Sequence, residues 1–272
     1  MQTKYDIYYY WDDVHGKDSL SPYLQLCIKT WEKNAQAENI IKVNIDNIHS
    51  YSHGLLDAHK LSKFTPAQRS DAAMVCVMMN RRGIFMDIDS VIMPNFNADK
   101  YFSKTVPSLY AIPRLASKEP LLAFLANPNL NDTFLENWRN QTIKLISYEL
   151  NSPYRKLRRL FREVKGKKVH VPWHYLGSNI MKNMASVVNN NVNTIDACQT
   201  GFCPNVNNEF YGDEMYMRFW YNEHDYHPEI LHKDGIVALQ NSWMPQNIKS
   251  LPSEKFLEGD LPINKLFQYA LL

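Results

Sequence analysis

The sequence predicts an α/β fold: a mostly parallel sheet flanked by helices, with a smaller helical and irregular region in the second half. Three observations predict it. A strand, a helix and a second strand follow one another within the first 45 residues, which makes a parallel βαβ unit with a right-handed crossover the default. A helix that is apolar on every face, at 72–79, runs into a short apolar strand at 84–86 and so belongs inside the protein. That strand ends on Asp87 and Asp89, at the edge where open α/β sheets bind ligands.

The elements follow in order. Residues 5–11, YDIYYYW, form an aromatic and β-branched run that reads as the first strand, with Trp11 at its carboxyl end. Ser21 is placed to cap a helix with Pro22 at its first position, and Leu24, Cys27, Ile28, Trp31 and Ala35 make one apolar face. A strand at 40–45 closes the βαβ unit, and a polar connection at 46–64 holds a short helix at 55–61. Thr65, Pro66 and Gln68 are spaced as N-cap, first helical position and capping-box partner, and Gly83 supplies the stop. A strand is expected at 108–112, a short helix at 120–126 and a long helix at 134–150. Beyond these come a basic stretch at 154–168, a helical pattern at 180–188 after Gly177 and Ser178, and an Asn-rich loop at 189–193. Late strands are expected at 194–197 and 235–239, and the tail after Ser250 is rich in turn signals. No internal repeat or low-complexity tract is visible.

Composition sets bounds. A chain of 272 residues can bury one full core, and the net charge of +2 carries no global signal for nucleic acid. Cys27, Cys76, Cys198 and Cys203 include no CxxC pair, which suits a reducing, cytosolic setting. No apolar run reaches the roughly 18 residues that span a bilayer, and the first residues lack the pattern of a secretory leader.

Two carboxylates one residue apart at a strand end are hard oxygen ligands suited to Mg²⁺ or Mn²⁺. Val91, Ile92 and Met93 follow them, so core flanks the acids on both sides, where an uncompensated charge is costly. The same apolar residues exclude a calcium loop, which needs polar ligands and a glycine there. The segment also fits the DxDx[TV] pattern of haloacid-dehalogenase-type phosphatases, with Asp87 as nucleophile and Asp89 as acid. That alternative needs a later Ser or Thr, a Lys and an acidic pair; Asp213 and Glu214 are the nearest pair, and it has no use for Asp71. The nine histidines offer no convincing metal set, and His224, Asp225, His227 and His232 read as surface or acceptor-site lining. No Ser or Cys nucleophile arrangement is present.

Residues 70–93, SDAAMVCVMMNRRGIFMDIDSVIM, resemble the SD-x-x-R…GG-x-Y-x-D-x-D signature of the retaining glycosyltransferases that carry a DxD sugar-nucleotide-binding region. That family includes Golgi mannosyl- and galactosyltransferases and bacterial capsule and lipopolysaccharide enzymes; the clostridial glucosylating toxins are more distant. Residues 7–11, ending in Trp11, are similar to the family's first strand, and Asn241-Ser242-Trp243 to its C-terminal Ser-Trp. The resemblance implies a GT-A-like, Rossmann-type domain over 1–272, with a nucleotide-sugar half at 1–130 and an acceptor-side half with a closing segment at 131–272. It implies a metal-dependent hexosyltransferase that uses Mn²⁺ or Mg²⁺, a UDP- or GDP-sugar donor and a saccharide acceptor, lipid-linked in one variant, in capsule or lipopolysaccharide synthesis. A glycosylating effector acting on protein is a further alternative.

By the same resemblance Asp71, Asp87 and Asp89 are the catalytic set. Asp71 would meet the donor sugar, Asp87 the ribose and metal, and Asp89 the metal directly. Trp11 would stack on the base, Ser242 and Trp243 would approach the diphosphate, and Arg82 and Phe85 occupy positions of the nucleotide-sugar motif. Met74 stands where the family has a sugar-binding Arg, Arg82 replaces the first Gly and Phe85 the Tyr, so donor choice is not inherited. A third metal ligand could come from Asn241, from Gln240 or from water. Asp213, Glu214 and His224 are acceptor-side candidates.

In the basic stretch, Arg155, Lys156, Arg158, Arg159, Arg162, Lys165, Lys167 and Lys168 face a single acid, Glu163, with Leu157, Leu160, Phe161 and Val164 at helical spacing. It reads either as a solvated helix face or as the peripheral contact of a cytoplasmic protein with the inner face of an anionic membrane. Aromatics are too sparse there for a nucleic-acid stacking platform.

Overall fold

The computed structural model describes residues 4–12, 20–114, 117–164, 175–184, 191–196, 213–222, 225–228 and 232–272. Strand β1 (Asp6–Tyr10) leads to helix α1 (Pro22–Asn34) and strand β2 (Asn39–Val43), and β1 pairs with β2 in parallel, as the βαβ pattern requires. Ser21 occupies the N-cap of α1, but its side chain makes no capping bond. Two short helices, α2 (Ile48–Tyr51) and α3 (Ala58–Leu61), cross the polar connection, the second capped by Asp57.

Helix α4 (Pro66–Met78) begins with the capping box the sequence specifies: Thr65 accepts from the Gln68 N–H, and Gln68 accepts from the Thr65 N–H. From Ala72 to Met78 every side chain is buried, so the all-apolar run is an interior helix. It ends at Met79 in ordinary helical geometry, and Gly83 is no left-handed cap. Gly83 instead opens strand β3 (Gly83–Met86), where a Cβ would lie 2.7 Å from the Asp6 carbonyl oxygen of β1. Close approach of the two strands is what that glycine serves.

The main sheet runs β2-β1-β3-β6-β5-β7, with β5 (Ser108–Arg114), β6 (Ser117–Asn127) and β7 (Asn193–Asp196) on its far side. Only β6 runs against the other five strands. Residues 120–126, expected as a short helix, lie within β6. Leu122 and Leu125 face one core, and Ala123, Phe124 and Ala126 the other. A strand buried on both faces shows no alternation, so its apolar run is indistinguishable from a short buried helix until its neighbours are in place.

Helices cover both faces. Ile7, Tyr9, Ile84 and Met86 pack beneath α1 and the C-terminal helices, whereas Tyr8, Tyr10 and Phe85 pack beneath α4, α6 (Thr133–Asn151) and α8 (Ser178–Asn183). Between α6 and α8 lies α7 (Pro153–Val164). A second, two-stranded sheet joins β4 (Ser90–Ile92) to β8 (Ile236–Ala238) in antiparallel pairing. Gly235, at φ +72, feeds β8; a Cβ there would meet the Phe96 backbone at 2.4 Å.

Helices α5 (Asp99–Phe102) and α9 (Asp213–Tyr221) precede the C-terminal segment. After a 3₁₀ turn at Asn241–Trp243 come α10 (Gln246–Lys249), α11 (Ser253–Leu257) and α12 (Pro262–Leu271). The tail is therefore helical where turns were expected. Its turn residues serve as caps and first helical positions, and Phe256, Ile263, Leu266 and Phe267 dock it on α1. Residues 185–190, which include the end of the expected helix at 180–188, and Cys198 and Cys203 lie outside the described residues. Cys27 and Cys76 are free and buried. Among the described residues no helix is long and apolar enough to cross a membrane.

Candidate active site

Asp87 and Asp89 sit just beyond the carboxyl end of β3, next to the carboxyl end of β1 and so to Trp11. Parallel pairing of β1, β2 and β3 aligns these chain ends on one edge, where the Trp11 N–H bonds the Val43 carbonyl oxygen at 2.9 Å. The Asp87 N–H is held by the Ala123 carbonyl of β6 at 3.0 Å. The carboxylates are thus placed by main-chain bonds of a sheet, which fixes them more firmly than a loop would.

The helix before β3 contributes from the side. Ser70 Oγ donates to Asp87 Oδ1 at 3.4 Å, and Asp71, one residue on, lies close enough for its charge to act on Asp87. Asp71, Asp87 and Asp89 are all surrounded by protein, yet each keeps some solvent-accessible surface, as side chains do at the floor of a cleft. Burial alone pushes the Asp71 carboxyl up to about 8. Asp87 is driven well above the carboxylate range, first by burial and then by the charges of Asp89 and Asp71. Burial raises Asp89 to about 6, the opposing influences being the Asn241 N–H, its own backbone and Lys249.

The two-stranded sheet brings the C-terminal segment onto the same site. The Leu239 N–H bonds the Asp89 carbonyl oxygen at 3.0 Å, and the Asn241 N–H donates to Asp89 Oδ2 at 2.6 Å. Asn241 Oδ1 is buried and accepts no hydrogen bond. Lys249 Nζ reaches round to the Asn241 carbonyl oxygen at 2.7 Å. Trp243 is half-buried, its ring edge-on to Tyr216 with centroids 5.3 Å apart, and Ser242 is exposed. Trp11 is half-buried, with its indole N–H unpaired.

The donor set fits a small divalent cation. Among the described residues no Lys, Arg or His forms an ion pair with any of the three carboxylates, and Lys249 acts on Asp89 only through its charge. Negative charge held this deep is costly without a partner, and the orphaned amide oxygen of Asn241, whose N–H bonds Asp89, would be a third hard ligand. Among the described residues no group of three or more His, Cys, Asp or Glu side chains could itself hold a metal. The protein would therefore supply Asp87, Asp89 and Asn241, and leave further positions to ligand oxygens and water.

Two expected residues fall away from the cleft. Arg82 precedes β3, at the opposite end of the strand from Asp87, and its guanidinium lies over the Phe102 ring at 5.2 Å. Four strand residues separate it from Asp87, so the two lie five rises apart, roughly 17 Å along the strand. Phe85 points to the α4 face and is fully buried in the core, as is Met74. Phe85 shares its strand face with Asp87 but lies two residues back along β3, where α4 covers that face. On the acceptor side, Glu214 is exposed on the first turn of α9, Asp213 opens that helix, and His224 lies outside the described residues.

Several residues that sequence reasoning missed are built into the site. Tyr216 accepts the Gln240 N–H at 2.8 Å and so holds the closing segment. A Cβ at Gly177 would lie 2.3 Å from Asp71 Oδ2 and 2.7 Å from Leu122 Cδ1, so any side chain there must displace the Asp71 carboxyl or Leu122. Neither had a local signal, since both act across more than 20 residues of chain.

No protein-family model matches this chain, and no curated protein matches it. Among solved structures, one titled "PaToxG Glycosyltransferase" aligns over 98% of this chain and 86% of its own, at 12% identity and a TM-score of 0.39. A likeness that distant carries no weight for the chemistry, which rests on the cleft.

Proposed function

We propose that the protein is a metal-dependent retaining glycosyltransferase that moves a sugar from a nucleoside-diphosphate donor to a saccharide acceptor. Capsule or lipopolysaccharide assembly is the setting this reading favours. The observation that carries it is the pair Asp87 and Asp89 at the carboxyl edge of the sheet, with Asn241 bonded through its N–H to Asp89 and its amide oxygen unpaired, and with no ion-paired cation on these acids among the described residues. A divalent cation bound there would offset the charge that develops on a departing diphosphate.

The chain's own groups supply the rest. Trp11, at the end of β1, offers a face on which a nucleobase can stack. Asp71 lines the cleft beside Asp87 and is positioned to accept hydrogen bonds from sugar hydroxyls. Ser242 and Trp243 follow Asn241 directly, so ordering of that turn over a diphosphate would exclude water and limit hydrolysis of the donor. Attack from the face the diphosphate leaves calls for no dedicated protein base, in keeping with the lack of a nucleophile arrangement. The phosphatase alternative leaves Asp71 and the docked Asn241 segment without a role.

Thermal unfolding with Mn²⁺ and a panel of nucleotide sugars tests the reading. Stabilisation by a uridine or guanosine diphosphate sugar that needs Mn²⁺ and disappears in Asp89→Ala is expected. Indifference to every nucleotide, with Asp87-dependent release of phosphate from a phosphoester, would overturn it.

A further inference from the structure

The second half of the molecule carries a surface of a different kind. Six large hydrophobic residues are exposed among the described residues, and four of them, Tyr148, Tyr154, Leu157 and Leu160, fall between the end of α6 and the middle of α7. Tyr154, Leu157 and Leu160 follow at intervals of three along α7 and are exposed by 65%, 55% and 58%, so they form one continuous apolar stripe. Single exposed leucines need no explanation; a row of this size does.

Cations border the stripe. Beside it a cleft of about 600 Å³ opens between α3, α6 and α7, lined by His59, Lys60, Lys63 and Lys156 together with Leu150 and Leu160. Lys60 is tied to Asp57 at 3.4 Å and to the Leu55 carbonyl oxygen at 2.8 Å. Among the described residues neither Lys63 nor Lys156 pairs with an acid. Arg155 turns the other way, 3.1 Å from Glu149 and over the Tyr148 ring at 5.5 Å, which fixes α7 against α6. The helix is thus held by its inward arginine while its aliphatic row and neighbouring lysines face out.

We infer that this α3–α7 surface docks the protein on an anionic lipid bilayer. Leu157 and Leu160 would enter the acyl boundary while Lys63 and Lys156 meet headgroup phosphates. The pairing of chemistries selects the occupant: a polyanion such as RNA uses the lysines but has no place for aliphatic side chains, whereas a bilayer interface takes both. A protein partner with an acidic face would leave the same stripe to be matched by apolar residues of its own. A bilayer needs no such matching.

Cosedimentation of the full chain with vesicles tests this. Vesicles containing phosphatidylglycerol should bind it and phosphatidylcholine vesicles should not, with binding weakened by salt. Leu157→Ser with Leu160→Ser, and separately Lys63→Glu with Lys156→Glu, should each lower the partition coefficient at least tenfold at unchanged melting temperature. Failure to bind phosphatidylglycerol vesicles, or equal binding by wild type and both pairs, would overturn the inference. So would capture of polyuridylate RNA by wild type and the leucine pair alike while vesicles are ignored. If one pair proves unfolded, the other still decides the outcome, because both features are required.

Discussion

The carboxylate cleft and the α3–α7 surface are opposite solutions to uncompensated charge. In the cleft, three acids are surrounded by protein and raised by burial, so the missing counter-charge must be small and able to enter. On the α3–α7 surface, lysines stand in water at little cost beside exposed leucines, so what is missing there is large, anionic and partly apolar. A third site calibrates both. Asp12, on the same sheet edge as the cleft, is paired with Arg69 at 2.7 Å and also accepts the Ile45 N–H at 2.9 Å. Burial of a charge is therefore tolerated where the chain supplies the partner and is left open where a ligand would.

The sharpest way to break the comparison is at Asp89. Asp89→Ala should lower nucleotide-sugar turnover by roughly 10²–10³-fold or more and abolish the Mn²⁺-dependent rise in melting temperature. Turnover that survives would detach the site from the chemistry. Next in size is a pair of substitutions with opposite signs. Asp12→Asn, which strands Arg69, should destabilise the fold by about 1–3 kcal/mol in denaturant unfolding. Asp71→Asn, which removes an unpaired buried carboxyl, should stabilise the metal-free protein by about 1–2 kcal/mol while turnover collapses.

The same contrast has a pH signature. Asp71 holds its proton up to about 8 in the folded state, against an ordinary value of 3.8, so the native form binds more protons than the unfolded form between these limits. Stability is then fully present below about pH 4 for this group and is lost as pH rises towards 8. Melting temperatures of the metal-free protein should fall across that window, and Asp71→Asn should flatten the slope. A slope unchanged in the variant would place the titration elsewhere. Smallest of all, the leucine pair on α7 should move stability by no more than about 0.5 kcal/mol, since those side chains are already in water.

Gly177 tests how the cleft is held. Gly177→Ala should displace the Asp71 carboxylate and cut turnover, with a smaller effect on melting than on rate, because the clash falls on side-chain ends rather than on backbone. Equal loss of both would make Gly177 a fold residue only.

Much of this was legible along the chain. The capping box at Thr65 and Gln68, the buried run from Ala72 to Met78 and the strand ending on Asp87 are local features, set by residues within one turn of each other, and each stands where the spacing puts it. Pro120 to Ala126 was not legible as a strand, because pairing with β3 and β5 alone decides it. Nor could Gly83 be told from a helix cap, since its reason is the Asp6 carbonyl, 77 residues earlier.

By itself, then, the sequence determined the α/β class, the starts of α1 and α4 and the DxD pair, because capping, periodicity and strand length are short-range properties. Tertiary structure decided which residues share the cleft. It removed Arg82 to the far end of β3 and Phe85 to the core, because a strand has two ends and because α4 covers the length of the face that Phe85 shares with Asp87. It brought Asn241, Tyr216 and Gly177 to the acids, because the β4–β8 pairing and the α4–β6–α8 packing close distances that spacing does not encode.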